Sequence, residues 1–134
     1  MDSHAICCTI GLGSNSQDRE SQISDAIKFV LGLLKDGKVS SVYETEACNG
    51  KDKPYLNAVI KGRSVLPEDE LVEKFKDYER QHGRQLGSKE EGIIPIDLDL
   101  VIRGSRILRP KDFERHYFNK GYRELLAAGA YQDE

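Results

Sequence analysis

The chain has 134 residues, of which 38% are hydrophobic and 32% charged, and a formal net charge of −3 at pH 7. That length suits one compact domain over residues 1–134, large enough to bury about two thirds of its unfolded surface. No run approaches the roughly 20 apolar residues of a membrane span, residues 1–5 lack the regions of a secretion signal, and the basic residues form no stripe suited to nucleic acid. The expectation is a cytoplasmic protein with neither membrane nor nucleic acid as a partner.

The run "AICCTIGLGSN", residues 5–15, reads as a buried strand turning into a helix start. Cys7 and Cys8 point to opposite faces of it, and Cys48 lies far along the chain, so the cysteines read as small core or near-core residues rather than a disulfide frame or zinc site. In the next segment Ile23, Ala26, Ile27, Val30, Leu31 and Leu34 form one helical stripe, with Gly37 just past its end. "KVSSVYETEA" and "YLNAVIKGRSV" are strand-like and are expected to pair antiparallel across the loop "CNGKDKP". "LPEDELVEKFKDYERQHGR" predicts a second helix, with acids in its first turn, Leu71, Val72, Phe75 and Tyr78 at helical spacing, and an end near Gly83. "QLGSKEEG" is a loop without apolar period.

The strand "IDLDLVI", residues 96–102, comes next. Alternation puts Ile96, Leu98, Leu100 and Ile102 on one face and Asp97, Asp99 and Val101 on the other. Beyond it "RGSRIL" suggests a turn and short return strand, and "YFNKGYRELLAAGAY" a short helix. The order β-α-β-β-α-β with C-terminal additions is the ferredoxin-like α+β arrangement, an antiparallel sheet with both helices on one face. The first and third strands lie side by side, and the second face is expected to be open to a ligand.

Two carboxylates side by side on a strand repel unless water, a cation or basic side chains neutralise them, so Asp97 and Asp99 mark either a solvated edge or a site. Such a pair suits magnesium, a hard cation held through one or two carboxylates together with substrate phosphates. The segment 103–123 holds Arg103, Arg106, Arg109, Lys111, Arg115, Lys120 and Arg123, a local excess able to meet phosphates on a small molecule.

Taken in order, "GLGSN", "YETEACNGKDKPYLNAV", "ERQHGR", "IDLDLVI" and "HYFNKGY" resemble the 6-hydroxymethyl-7,8-dihydropterin pyrophosphokinase family. The resemblance implies a ferredoxin-like fold, ATP as co-substrate, two Mg2+ ions, a pterin acceptor, a monomer, and transfer of pyrophosphate from ATP to the pterin alcohol, with release of AMP, in folate biosynthesis. Carried over by position, it implies that Asp97 and Asp99 hold the metals. It likewise implies that Asn57 hydrogen-bonds the pterin ring, that Tyr55 and Tyr122 sandwich it, and that Thr45 and Cys48 lie in the pterin loop. On the nucleotide side, His116 and Tyr117 match a phosphate-binding pair, and Lys120 falls where the family has an arginine after a segment two residues longer. Arg84 matches the first arginine of the catalytic loop, Leu98 and Leu100 lie on the strand flanking adenine, and Glu79 matches an acid near the substrates.

The departures concentrate before the aspartates. Where the family reads Trp-Gly-Pro-Arg, this chain has Glu91, Gly92, Ile93 and Ile94; its second loop arginine is Leu86, and the following basic residue is Gly87. Losing such arginines removes charge stabilisation from a phosphoryl transfer, a reaction that depends on it. Lys89, Arg109, Arg115 and Arg123 are the nearest substitutes in sequence. Two other readings therefore stand beside the enzyme: a relative that binds a pterin or nucleotide without turnover, and a ferredoxin-like domain that binds a partner protein.

Overall fold

The computed structural model describes residues 5–83 and 92–129. Its elements run β1 (Ile6–Ser14), α1 (Arg19–Gly32), β2 (Lys35–Val39), β3 (Tyr43–Thr45), β4 (Tyr55–Ser64), α2 (Glu68–Gln81), β5 (Asp97–Arg103), β6 (Arg106–Ile107), α3 (Pro110–Glu114) and α4 (His116–Ala127). The six strands form one antiparallel sheet in the order β2-β4-β1-β5-β6, with β3 pairing the start of β4 beyond the end of β2. This is the ferredoxin-like α+β fold, with β1 and β4 central as the element order predicts.

One face of the sheet is the main core. Cys8, Ile10 and Leu12 of β1, Ile60 of β4, and Ile96, Leu98 and Leu100 at and before β5 pack against Ile23, Ala26 and Val30 of α1 and Leu71, Phe75 and Tyr78 of α2. Burying side chains of this size is worth about 1.5–3 kcal/mol each before entropy is charged against it. The alternation of "IDLDLVI" holds as far as Leu100. There the register slips: Ile10 pairs Leu100 while Thr9 pairs Ile102, so Val101 is an extra residue. Ile102 consequently packs with Val101 on the second face and not with Leu100 as alternation predicts. A bulge of this kind re-aims every side chain beyond it.

Three further expectations are corrected. α1 ends at Gly32, where the backbone N–H groups of Leu33 and Leu34 bond to Val30 and Leu31, so Leu34 joins the core from a turn. Gly37 lies within β2, where a Cβ would meet Leu31 Cδ2 at 2.6 Å; it is needed for close passage and not for a helix stop. "KVSSVYETEA" is two strands, because Ser40 Oγ accepts the Val59 N–H at 2.9 Å and donates to Ser41 O at 2.8 Å, breaking the ladder between β2 and β3.

The second face is only partly open. α4 lies across it, with Phe118 and Leu125 packed on Val59 and Val101. Close approach is permitted by Gly121, where a Cβ would stand 2.7 Å from Val59 Cγ2 and 2.8 Å from Tyr43 Oη. The buried Tyr43 fastens the helix: its hydroxyl donates to Tyr117 O at 2.6 Å and accepts the Gly121 N–H at 3.0 Å. What remains uncovered is the end of that face nearest Ser14, Tyr55 and Asp97.

Candidate functional site

Strand register builds the site. Gly13 pairs Asn57 on one side and Asp97 on the other; Gly11 pairs Val59 and Asp99. With strands about 4.8 Å apart, Asn57 and Asp97 stand roughly 10 Å apart across a glycine floor. A side chain at Gly11 would reach Phe118 Cδ1 at 3.2 Å, and one at Gly13 would meet Asn57 Oδ1 at 3.4 Å and Tyr55 Cδ2 at 3.5 Å. Over this floor opens a cavity of about 380 Å3, within the size of small-molecule sites.

Of the residues singled out from sequence, Thr45, Cys48, Tyr55, Asn57, Asp97, Asp99 and Tyr117 all line this cavity. Asn57 is 2% exposed, and its Nδ2 donates to Thr45 Oγ1 at 2.8 Å and Tyr43 O at 3.3 Å. With both donors engaged, what the amide still offers a bound ring is its oxygen, beside Gly13. Cys48 is exposed on the wall contributed by the loop before β4.

At the other end, one carboxylate oxygen each of Asp97, Asp99 and the buried Glu79 lie within 4.8 Å of one another. Glu79 accepts the Leu98 N–H at 2.8 Å, which ties α2 to β5. Burial, then the neighbouring Asp97 charge, push the Asp99 carboxyl up to about 8, against the partial relief of Arg109 and Lys76. Arg109 Nε is 3.7 Å and Lys76 Nζ 3.8 Å from Asp99 Oδ1. A cluster of hard oxygen donors in which Asp99 resists ionising fits a divalent cation, whose charge favours the ionised carboxylates.

A second cleft, of about 200 Å3, adjoins the first at Asp99. Leu98 and Leu100 contribute to it together with Val72 and Phe75 of α2, Leu108 and Arg109. Both leucines also fill the core, so they present apolar wall rather than a polar group.

The structure does not bring every expected residue together. Tyr122 does not line the cavity; its ring stacks on Phe118 at 5.6 Å and meets Phe113 edge-on at 5.4 Å. The aromatics that share the cavity with Tyr55 are Tyr117 and Phe118, the latter over Gly11. His116 is exposed as the first residue of α4, and Lys120 is exposed with Nζ 5.3 Å from the centroid of Tyr43; neither lines the cavity. Arg84, like Lys89, lies outside the described residues.

Sequence reasoning missed Phe118, Asp112 and Asn15. Asp112 lies in the cavity wall, where it accepts from Tyr117 Oη and Arg109 Nε; burial and this carboxylate raise the Tyr117 hydroxyl far above the usual phenol range. Its signal would have been the short helix α3, opened by Pro110 at its first position. Phe118 was hidden by the register of "HYFNKGY", in which Tyr117, Phe118 and Tyr122 are equally plausible. Asn15 closes the end of β1 through contacts distant in sequence, which no local pattern encodes.

Residues 9–127 match the family described as 7,8-dihydro-6-hydroxymethylpterin-pyrophosphokinase. A 2-amino-4-hydroxy-6-hydroxymethyldihydropteridine pyrophosphokinase of Aquifex aeolicus is 36% identical over 103 residues, 76% of this chain and 64% of that protein. A Porphyromonas gingivalis protein of the same name is 34% identical over 101 residues, 69% of this chain and 66% of its own. A folate synthesis bifunctional protein of Arabidopsis thaliana is 35% identical over 101 residues, 71% of this chain but 20% of its own. The matched stretch thus spans less than two thirds of the Aquifex protein and one fifth of the plant one. With residues 9–127 matched, and with Asn57 and the paired aspartates facing one cavity across two glycines, the chain belongs to the 7,8-dihydro-6-hydroxymethylpterin-pyrophosphokinase family.

Proposed function

We propose that this chain transfers pyrophosphate from ATP to 6-hydroxymethyl-7,8-dihydropterin, releasing AMP, as a cytoplasmic monomer in folate biosynthesis. The observation that carries the reading is one cavity with a held amide at one end and Asp97 and Asp99 at the other, where a carboxylate oxygen of the buried Glu79 converges on them. The pterin ring lies over Gly11 and Gly13 against Tyr55 and Phe118, its edge turned to Asn57 Oδ1, with Thr45 and Cys48 in the adjoining wall. The triphosphate runs past Asp97 and Asp99, and the adenine enters the second cleft against Leu98 and Leu100. The pterin hydroxyl oxygen bonds to the β-phosphorus as the bond from that phosphorus to the α–β bridging oxygen breaks; AMP leaves with that oxygen, and the hydroxyl proton is released to solvent. Binding both substrates in one orientation supplies much of such an acceleration.

Asp97 and Asp99, with Glu79 behind them, would hold two magnesium ions, which supply charge neutralisation along the triphosphate. Around them Arg109 and Lys76 place positive charge beside Asp99, and Arg109 borders the second cleft. His116, Lys120 and Arg84 complete the phosphate side as the family resemblance implies, with Tyr117 holding the cavity wall through Asp112.

One observation favours a second reading, a binder without turnover: the family's Trp and Arg before the aspartates are Glu91 and Ile94 here. Purified protein given magnesium-ATP and the dihydropterin alcohol separates the two. Formation of AMP together with the pyrophosphorylated pterin supports the enzyme; pterin binding measured in the same buffer with no AMP leaves the binder.

A further inference from the structure

Asn15 stands one residue beyond β1, 1% exposed, and its side chain joins three chain segments. Nδ2 donates to Gly92 O at 2.7 Å and to Lys53 O at 3.2 Å, and Oδ1 accepts the Ile94 N–H at 2.6 Å. Its backbone N–H adds a bond to Ile94 O at 3.1 Å. Both amide protons and the carbonyl oxygen are therefore committed to main-chain groups 38 to 79 residues away.

The segment it grips packs against the loop before β4. Gly92 has φ +74°, and a Cβ there would stand 2.1 Å from Asp52 Oδ1. Asp52 is itself held by Asn49 Nδ2 at 2.7 Å, while its N–H donates to Asn49 Oδ1 at 3.0 Å. Asn49, Asp52 and Ile94 all line the cavity, and Asp97 follows Ile94 by three residues. The loop walling the ring end and the lead into the carboxylate strand thus meet at one buried amide. Gly92 thus lies against Asp52 in a backbone conformation that other residues rarely adopt.

We infer that Asn15 is a positioning residue for the reaction, setting the ring-binding wall and the carboxylate strand at one fixed separation. The inference rests on the transfer reading above, since it assigns what the clamp positions. A residue of purely structural use would change the melting temperature alone. A clamp also changes the rate of the folded protein, because displacement of a reacting group by an ångström can cost about 100-fold.

The test compares wild type with N15A and N15S. Expected for N15A is Ile94 amide exchange at least about ten-fold faster than wild type by mass spectrometry or NMR. Also expected is kcat lowered about ten- to 100-fold with KM for magnesium-ATP within about three-fold, since the loss is of alignment and not of nucleotide contacts. Unchanged Ile94 exchange, or kcat and both KM values within about two-fold of wild type in folded N15A, overturns the inference. If N15A does not fold, N15S carries the same comparison. If wild type forms no AMP, the transfer reading fails on its own, and Ile94 exchange with affinity for the pterin alcohol decides the clamp: exchange about ten-fold faster together with affinity about ten-fold weaker in the variant supports it, and no change in either overturns it.

Discussion

Asn57 and Asp97 belong to one cross-sheet row, separated only by Gly13. The pairing explains how residues 40 positions apart come to face one cavity: β1 supplies no side chain between them, so the amide and the carboxylate stand across bare backbone. A ring bound at Asn57 has its substituent within reach of phosphates bound at Asp97. Alanine at Asn57 should raise KM for the pterin alcohol by about ten-fold or more and leave KM for ATP near wild type. Equal rises in both would contradict the division of the cavity.

Among the described residues, Arg109 is an arginine placed to compensate for those missing before β5. It lies beside Asp99, is held by Asp112, and borders the second cleft. Removing it in R109A should lower kcat/KM for ATP by about ten- to 100-fold, with R109K recovering only part because ammonium lacks the guanidinium fork. Full activity in R109A would show that the phosphate charge is met elsewhere.

The carboxylate cluster makes stability depend on pH in an unusual direction. The Asp99 carboxyl is raised from 3.8 to about 8, first by burial and then by Asp97. Between those values the unfolded chain gives up this proton while the folded protein retains it, so unfolding gains in favour as pH rises. The metal-free protein should therefore melt lower at pH 8 than at pH 5, by about 5 °C or more relative to D99N. Below about pH 4 this contribution is constant. Millimolar magnesium should shrink the difference by favouring the ionised pair. A melting temperature that rises across this interval relative to D99N would contradict the assignment.

Tyr43 fixes α4 to the sheet, and through it the Phe118 and Tyr117 walls. Burial, the largest influence, pushes its hydroxyl up to about 12, so it stays protonated and donating at any ordinary pH. Y43F removes both bonds of this hydroxyl, to Tyr117 O and from the Gly121 N–H, and should cost about 1–3 kcal/mol, read in urea unfolding. Unchanged stability would mean that α4 is held by Phe118 and Leu125 alone.

Much of this molecule was legible from sequence for identifiable reasons. β5 was readable because a buried strand with alternate acids has one period and two chemistries, and α2 because its apolar stripe and acidic first turn agree. The end of α1 was not, since Leu34 continues the apolar spacing after the backbone has already turned, and Gly37 mimics a stop signal. The break at Ser40 and the bulge at Val101 depend on partners on other strands, so nothing local announces them. In the site, Asp97 and Asp99 were readable because strand alternation fixes where they point, whereas Asn57, Tyr55 and Thr45, which line the same cavity, came only from the family resemblance. Phe118 replaces Tyr122 in the cavity because α4 begins at His116, and a helix distributes "HYFNKGY" over several faces. Asn15 is the extreme case, its role being defined by atoms of residues 53, 92 and 94.

In the proposed transfer, one cavity brings a pterin hydroxyl and the β-phosphorus of ATP together beside Asp97 and Asp99. Quantifying AMP and pyrophosphorylated pterin in one reaction of wild type and D97A tests it most directly. The account predicts equal amounts of the two products from wild type and a loss of about 100-fold or more in D97A. Wild type that binds the pterin and magnesium-ATP but forms neither product, or D97A that forms both at the wild-type rate, would contradict it.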